Sequence, residues 1–127
     1  EICACLVGSE MCIRDRFHTD EPDEKQKESV NLLNYISENT APAFLWNCID
    51  DPVVNYTNAM DYVNKCVKNG VACEYHLFSQ GGHGLSVNTE LTVMDEREID
   101  FSVTQWKLLA IEWCRKRIRN KMTEEEA

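Results

Sequence analysis

Two short apolar runs and two longer periodic stretches carry the pattern of this chain. Ala43 to Ile49 (AFLWNCI) is almost continuously apolar, with Pro42 before it and Asp50-Asp51-Pro52 after it. Its length, its aromatic content and those boundaries predict a strand buried on both faces, as in a parallel sheet covered by helices. Tyr56, Met60, Val63 and Val67 recur at helical spacing with Ala59 and Cys66 beside them, so residues 55–69 should form an amphipathic helix. Asn55 is a good N-cap, and Asn69-Gly70 a good stop. The Asn55-Tyr56-Thr57 sequon is read as that cap rather than as a glycosylation site. Val71 to Phe78 alternates in part and ends at Gln80-Gly81-Gly82, which reads as a second strand with a less protected face. His76, inside it, is expected to be structural. Strand, helix and strand joined by such short links make a βαβ unit.

The flanks are less regular. Residues 17–42 read as loop and connector, with one short helical turn near Val30 to Ile36. Residues 85–100 form a polar, acidic loop. Phe101 to Arg119 reads as a final helix, with Val103, Trp106, Ala110 and Trp113 on its buried face and Leu109 and Cys114 widening the stripe. A tail over 120–127 should fray.

The first sixteen residues stand apart. The chain has no initiator methionine, and Leu6 to Arg16 (LVGSEMCIRDR) resembles a conceptual translation of a transposon-end sequencing adapter over eleven successive residues. Residues 1–16 are therefore expected to be non-native and are excluded from fold reasoning. Of the seven cysteines, Cys3, Cys5 and Cys12 fall in that segment. Cys48, Cys66, Cys73 and Cys114 have apolar neighbours and no Cys-x-x-Cys spacing, so buried free thiols are expected rather than a metal site. This cysteine usage suggests a reducing, cytoplasmic setting. The formal charge of −9 argues against nucleic acid and anionic membranes as partners. The basic cluster Arg115 to Lys121 is read as the end of a helix, where cations complement the dipole.

The chemistry lies at two loops. Asp50-Asp51-Pro52-Val53-Val54 follows the first strand, and Gly81-Gly82-His83-Gly84 follows the second. In open α/β sheets, sites form beyond the carboxyl ends of the strands. A βαβ unit brings both ends to one edge, where a carboxylate can accept the imidazole Nδ1 proton. The other ring nitrogen is then left to serve a nucleophile. Either motif alone is weak; their conjunction with the helix between them and the helix after them is what suggests two members of a catalytic triad.

With these motifs, residues 38–113 resemble the C-terminal part of an α/β-hydrolase. The branch is that of the esterases and lipases, which also resembles prolyl-oligopeptidase-type enzymes. Thr40-Ala41-Pro42-Ala43-Phe44-Leu45-Trp46, Asp50-Asp51-Pro52-Val53-Val54, Phe78-Ser79-Gln80-Gly81-Gly82-His83-Gly84 and Gln105-Trp106 to Trp113 carry the likeness. The resemblance implies Asp50 as triad acid, with Asp51 as the adjacent candidate, and His83 as triad base. The chain departs from the pattern at Asn47-Cys48 and Asn55. It contains neither a Gly-x-Ser-x-Gly elbow nor a His-Gly-Gly oxyanion loop. Ser79 and Ser86 sit on no strand-to-helix elbow and are not taken as nucleophiles.

The expected architecture is α/β: the last βαβ unit of an α/β-hydrolase plus its terminal helix, with parallel strands. The segments are 1–16 (non-native), 17–42 (connector), 43–119 (hydrolase part) and 120–127 (tail). The expected function is that of a fragment of a serine carboxylesterase acting on a small-molecule ester such as an acetylated sugar. It would carry Asp50 and His83 but no nucleophile, and be inactive alone. No cofactor or metal is implied. A peptidase or dienelactone-hydrolase-like enzyme of the same fold, or a non-catalytic hydrolase-like binding domain, are the alternatives.

Overall fold

The structure is a computed structural model and describes residues 17–19, 21–85 and 101–125. The adapter-like segment 1–16 and most of the acidic loop over 85–100 lie outside the described residues. The elements in chain order are helix α1 (Glu24–Val30), a 3-10 turn (Leu32–Tyr35), strand β1 (Ala43–Cys48), helix α2 (Tyr56–Lys68), strand β2 (Cys73–Phe78), short helix α3 (Phe101–Thr104) and helix α4 (Trp106–Glu125).

β1 and β2 pair in parallel, from Ala43 opposite Cys73 to Cys48 opposite Phe78. The ladder continues one step past β1, where Ile49 N–H donates to the Phe78 carbonyl at 2.9 Å. Alternation along each strand divides the sheet into two faces. Leu45, Cys73 and Tyr75 lie on the face toward α2; Phe44, Trp46, Cys48, His76 and Phe78 lie on the other. On the first face Ile36, Cys66 and Val71 form a buried cluster, with Leu33, Tyr62 and Cys73 packed against it. On the second face α4 seats its tryptophans. Trp106 stacks on Trp46 with centroids 5.1 Å apart, and Trp113 meets Phe44 at 6.0 Å. The tryptophans therefore pack on the sheet and are half-buried rather than fully core, with helices on both sides of a parallel sheet.

Local chemistry sets the boundaries of α2. The Asn55 side chain accepts from Thr57 N–H at 3.0 Å, as the capping reading expected, and Gly70 takes a φ of +70° just past the C-cap Asn69. His76 is a paired structural histidine, with Nε2 2.8 Å from Glu74 Oε1 and its ring against Phe44.

The structure corrects several expectations. Residues 24–30 are helical, not loop. Asp23 accepts from Gln26 N–H at 2.8 Å, and the Gln26 side chain accepts from Asp23 N–H at 2.8 Å. This reciprocal capping box holds a helix that buries no residue, which is why hydrophobic periodicity missed it. β1 is not buried on both faces throughout, since only Leu45 and Cys48 are fully shielded. α4 does not end at Arg119 but runs to Glu125. The basic cluster therefore sits in mid-helix, where side-chain partners replace the dipole. Arg117 lies over Trp113 at 5.9 Å, and Arg119 pairs with Glu112 at 3.3 Å. Cys48 and Cys66 are buried, but Cys73 is half-buried and Cys114 is exposed, so Cys114 is not part of the buried stripe. Gln105 separates α3 from α4.

Val103 on α3 is fully buried, whereas Leu108 on α4 is 62% exposed. Val103→Ala should destabilise the chain by about 2 kcal/mol, from lost apolar burial plus a cavity. Leu108→Ala should cost no more than about 0.5 kcal/mol. Urea midpoints of the two variants check the ranking, and equal losses would show that α3 does not close the core.

Candidate active site

Because the two strands end level, with Cys48 opposite Phe78, both following loops emerge at one edge of the sheet. Each loop then folds for a separate reason. After β1 the chain turns at once, Asp51 N–H donating to the Cys48 carbonyl. Pro52 restricts the backbone here. Asp51 Oδ1 accepts from Val53 N–H at 2.8 Å and from Val54 N–H at 2.9 Å, an Asx-type turn that fixes the carboxylate. After β2 the loop passes through Gly81 and Gly82, with φ of +146° and +70°. These are backbone conformations that glycine adopts without the Cβ penalty. At Gly81 space matters as well. A Cβ there would lie 2.6 Å from Cys48 Sγ and 2.7 Å from Leu85 Cδ1.

The loops meet at His83. Its Nδ1 lies 3.0 Å from Asp51 Oδ2 and 3.1 Å from Asp51 Oδ1. The Asp51 side chain is 9% exposed and the imidazole 39%, so the carboxylate is shielded while the ring keeps a solvent-facing side. Burial pulls the Asp51 carboxyl upward. The N–H groups of Val54 and Val53, with His83, outweigh it and hold the group below the ordinary carboxylate value of 3.8. Asp51 is thus ionised at neutral pH and can only accept, so the proton between them belongs to Nδ1.

The expectation that Asp50 orients the histidine is corrected by this geometry. Both Asp50 oxygens are engaged elsewhere: Oδ1 accepts from Gly82 N–H at 2.8 Å and Oδ2 from Gly81 N–H at 3.1 Å. Those two amides hold its carboxyl below 3.8 as well. The adjacent candidate, Asp51, is the residue on the ring. The signal that separates the two was present in the sequence. Only Asp51 is followed by proline and then by two free N–H groups that can lock a carboxylate. Among the described residues no cluster of three or more His, Cys, Asp or Glu is arranged to hold a metal ion, and no helix is long and apolar enough to cross a membrane.

Two outcomes follow from this geometry. Gly81→Ala should be strongly destabilising, by about 2 kcal/mol or more, because the new methyl meets Cys48, Leu85 and Val103 at a positive φ. Thermal unfolding of that variant beside Gly84→Ala, where the added Cβ meets nothing within 4 Å, isolates the close approach from the φ effect. The Asp51 carboxyl lies below its unfolded value of 3.8, so its contribution is fully present above that pH. It is lost as pH falls through the folded value. The stability gap between the wild-type chain and Asp51→Asn should thus be level from about pH 5 upward and shrink below about pH 4. A gap that widened with acid would refute the assignment.

The comparisons agree with the architecture. Residues 12–108 match the prolyl oligopeptidase family, a stretch that takes in the last five residues of the adapter-like segment. A sugar hydrolase from Lactococcus lactis superposes with a TM-score of 0.73 at 26% identity, over 80% of this chain and 41% of that one. An acetyl ester-xyloside bifunctional hydrolase from Caldicellulosiruptor lactoaceticus superposes with a TM-score of 0.65 at 28% identity, over 76% of this chain and 32% of that one. Endo-1,4-beta-xylanase B of Butyrivibrio fibrisolvens is 27% identical over 66 residues, 52% of this chain and 10% of its own length. The chain thus spans well under half the length of each of these relatives. Its helix-covered parallel strands form part of an α/β-hydrolase fold, and the chain belongs to the prolyl oligopeptidase family.

Proposed function

We propose that this chain is the acid-and-base portion of a serine carboxylesterase that removes small acyl groups, such as acetyl, from sugar or alcohol esters. The observation that carries the reading is the Asp51–His83 pair. A shielded, ionised carboxylate sits on Nδ1 of a ring that is itself 39% exposed. In this reading His83 Nε2 takes the proton from a serine hydroxyl as its oxygen attacks the ester carbonyl. It then gives that proton to the departing alcohol, and the acyl-enzyme is hydrolysed by water in the same two steps. Asp51 keeps the ring in the working tautomer and stabilises the imidazolium between steps. The serine elbow and oxyanion donors would come from sequence outside these residues, since no Gly-x-Ser-x-Gly occurs in the chain.

The ester substrate is supported by the likeness to the acetyl ester-xyloside bifunctional hydrolase and the sugar hydrolase. A peptidase is the second reading, and the name of the matched family is what favours it. Both use the same acid and base, so the substrate alone separates them.

The 127-residue chain should hydrolyse p-nitrophenyl acetate no faster than its own His83→Ala variant. A difference between them would mean that a nucleophile lies within these residues. In a longer product joining this chain to an upstream segment with a serine elbow, acetyl-ester turnover should appear. It should fall by about 10³-fold or more in kcat with His83→Ala and also fall steeply with Asp51→Asn. Prolyl-peptide cleavage without ester turnover in that product would favour the peptidase.

A further inference from the structure

We propose that Asp50 is a positioning residue for His83, its carboxylate clamping the two backbone amides that carry the histidine loop. The inference rests on the reading of His83 as the base and Asp51 as its orienting acid. The two carboxylates are adjacent in sequence but serve different clients. Asp51 grips the imidazole; Asp50 grips Gly82 N–H at 2.8 Å and Gly81 N–H at 3.1 Å, one with each oxygen. The loop needs such an anchor. The ladder between the strands ends where Ile49 donates to Phe78, five residues short of His83. Over that stretch the chain crosses Gly81 and Gly82, whose φ values of +146° and +70° suit a residue with wide conformational freedom. Free glycines would let the ring leave Asp51. Packing of Gly81 against Cys48 and Val103 fixes the loop from below, and Asp50 fixes it laterally from the opposite strand end. The fork is charge-assisted and two-pronged, so it sets the loop's orientation as well as its distance. It also explains why a second acid is needed next to the first. Asp51 commits Oδ1 to its own turn and turns both oxygens to the ring, while Asp50 holds the glycine amides.

The test reads the histidine, not stability alone. In the uniformly ¹⁵N-labelled 127-residue chain at neutral pH, the wild-type His83 ring should show the signature of a single Nδ1–H tautomer. Asp50→Ala should move both ring nitrogens toward averaged values while circular dichroism stays that of a folded chain. Gly81 and Gly82 amide exchange should quicken by about threefold or more. Asp50→Asn is isosteric at an exposed position, so it keeps the fold if alanine does not. Its single oxygen can serve only one amide and its NH₂ opposes the other. One of the two glycine amides should therefore quicken while the other stays protected, with an intermediate ring signature. Asp51→Asn separates the two ideas. If it leaves the ring unchanged, the acid–base reading fails. If it perturbs the ring but Asp50→Ala and Asp50→Asn do not, that reading stands and the clamp is overturned. A fall in melting temperature with an unchanged tautomer would likewise reduce Asp50 to a structural contact and overturn the proposal.

Discussion

The in-register parallel ladder between β1 and β2 is the constraint on which the site depends. Parallel strands point the same way, so the two chain segments that leave them leave at the same edge. The match of Cys48 with Phe78 makes those exits level, and three residues beyond one and five beyond the other suffice to bring Asp51 to His83. A slip of one residue would invert the faces. Trp46 would lose Trp106, Leu45 would turn away from α2, and the loops would be displaced along the edge. Register is therefore held by the same packing that makes the core, and the site inherits its precision from the apolar contacts beneath it.

Two neighbouring carboxylates in one turn would ordinarily repel each other and loosen it. Here each has enough donors to remain ionised: Asp50 has the Gly82 and Gly81 amides, and Asp51 has the Val54 and Val53 amides and the imidazole. The Asp51 case also shows which effect wins. Its burial is the largest single influence and opposes charge, yet three donors together reverse it. A shielded carboxylate that stays charged is what an adjacent imidazole needs if it is to be stabilised when protonated. Exposure divides the tasks in the same way: the acid is covered, and the ring that would meet a substrate is not.

The two strands, the helix between them and the tryptophan face of the last helix were legible because each is written in buried or half-buried apolar side chains, as a short run, a partial alternation or a period near 3.6. What escaped was written otherwise. α1 buries nothing and rests on the Asp23–Gln26 box, so apolar periodicity carries no trace of it. The continuation of α4 to Glu125 runs through exposed side chains such as Ile118 and Met122, where no core pattern marks an end. The choice between Asp50 and Asp51 turned on backbone donors rather than on residue type. Both residues are acids after a strand, and only the turn made by Pro52, Val53 and Val54 distinguishes them. His83 was singled out by its conjunction with the acid turn after the neighbouring strand, since glycines around a histidine are a weak signal alone.

The same packing logic bears on what lies around this unit. Two parallel strands alone make a marginal sheet. The buried residues concentrate between the sheet and its helices, while Ile49, Val53, Leu108 and Ile111 remain exposed at its borders. Exposed apolar side chains scattered over a surface are ordinary. Ile49 and Val53, however, flank the acid turn at the very edge where the site forms. In the proposed enzyme the base would need shielding from bulk water except along the path of the substrate, and here the ring at this rim is 39% exposed. Further sheet and the nucleophile would cover that rim in the proposed whole enzyme, converting half-exposed loops into the wall of a pocket. One βαβ unit and two turns are thus enough to bring Asp51 to His83, whereas in the proposed enzyme the environment that would make the pair reactive belongs to the larger fold.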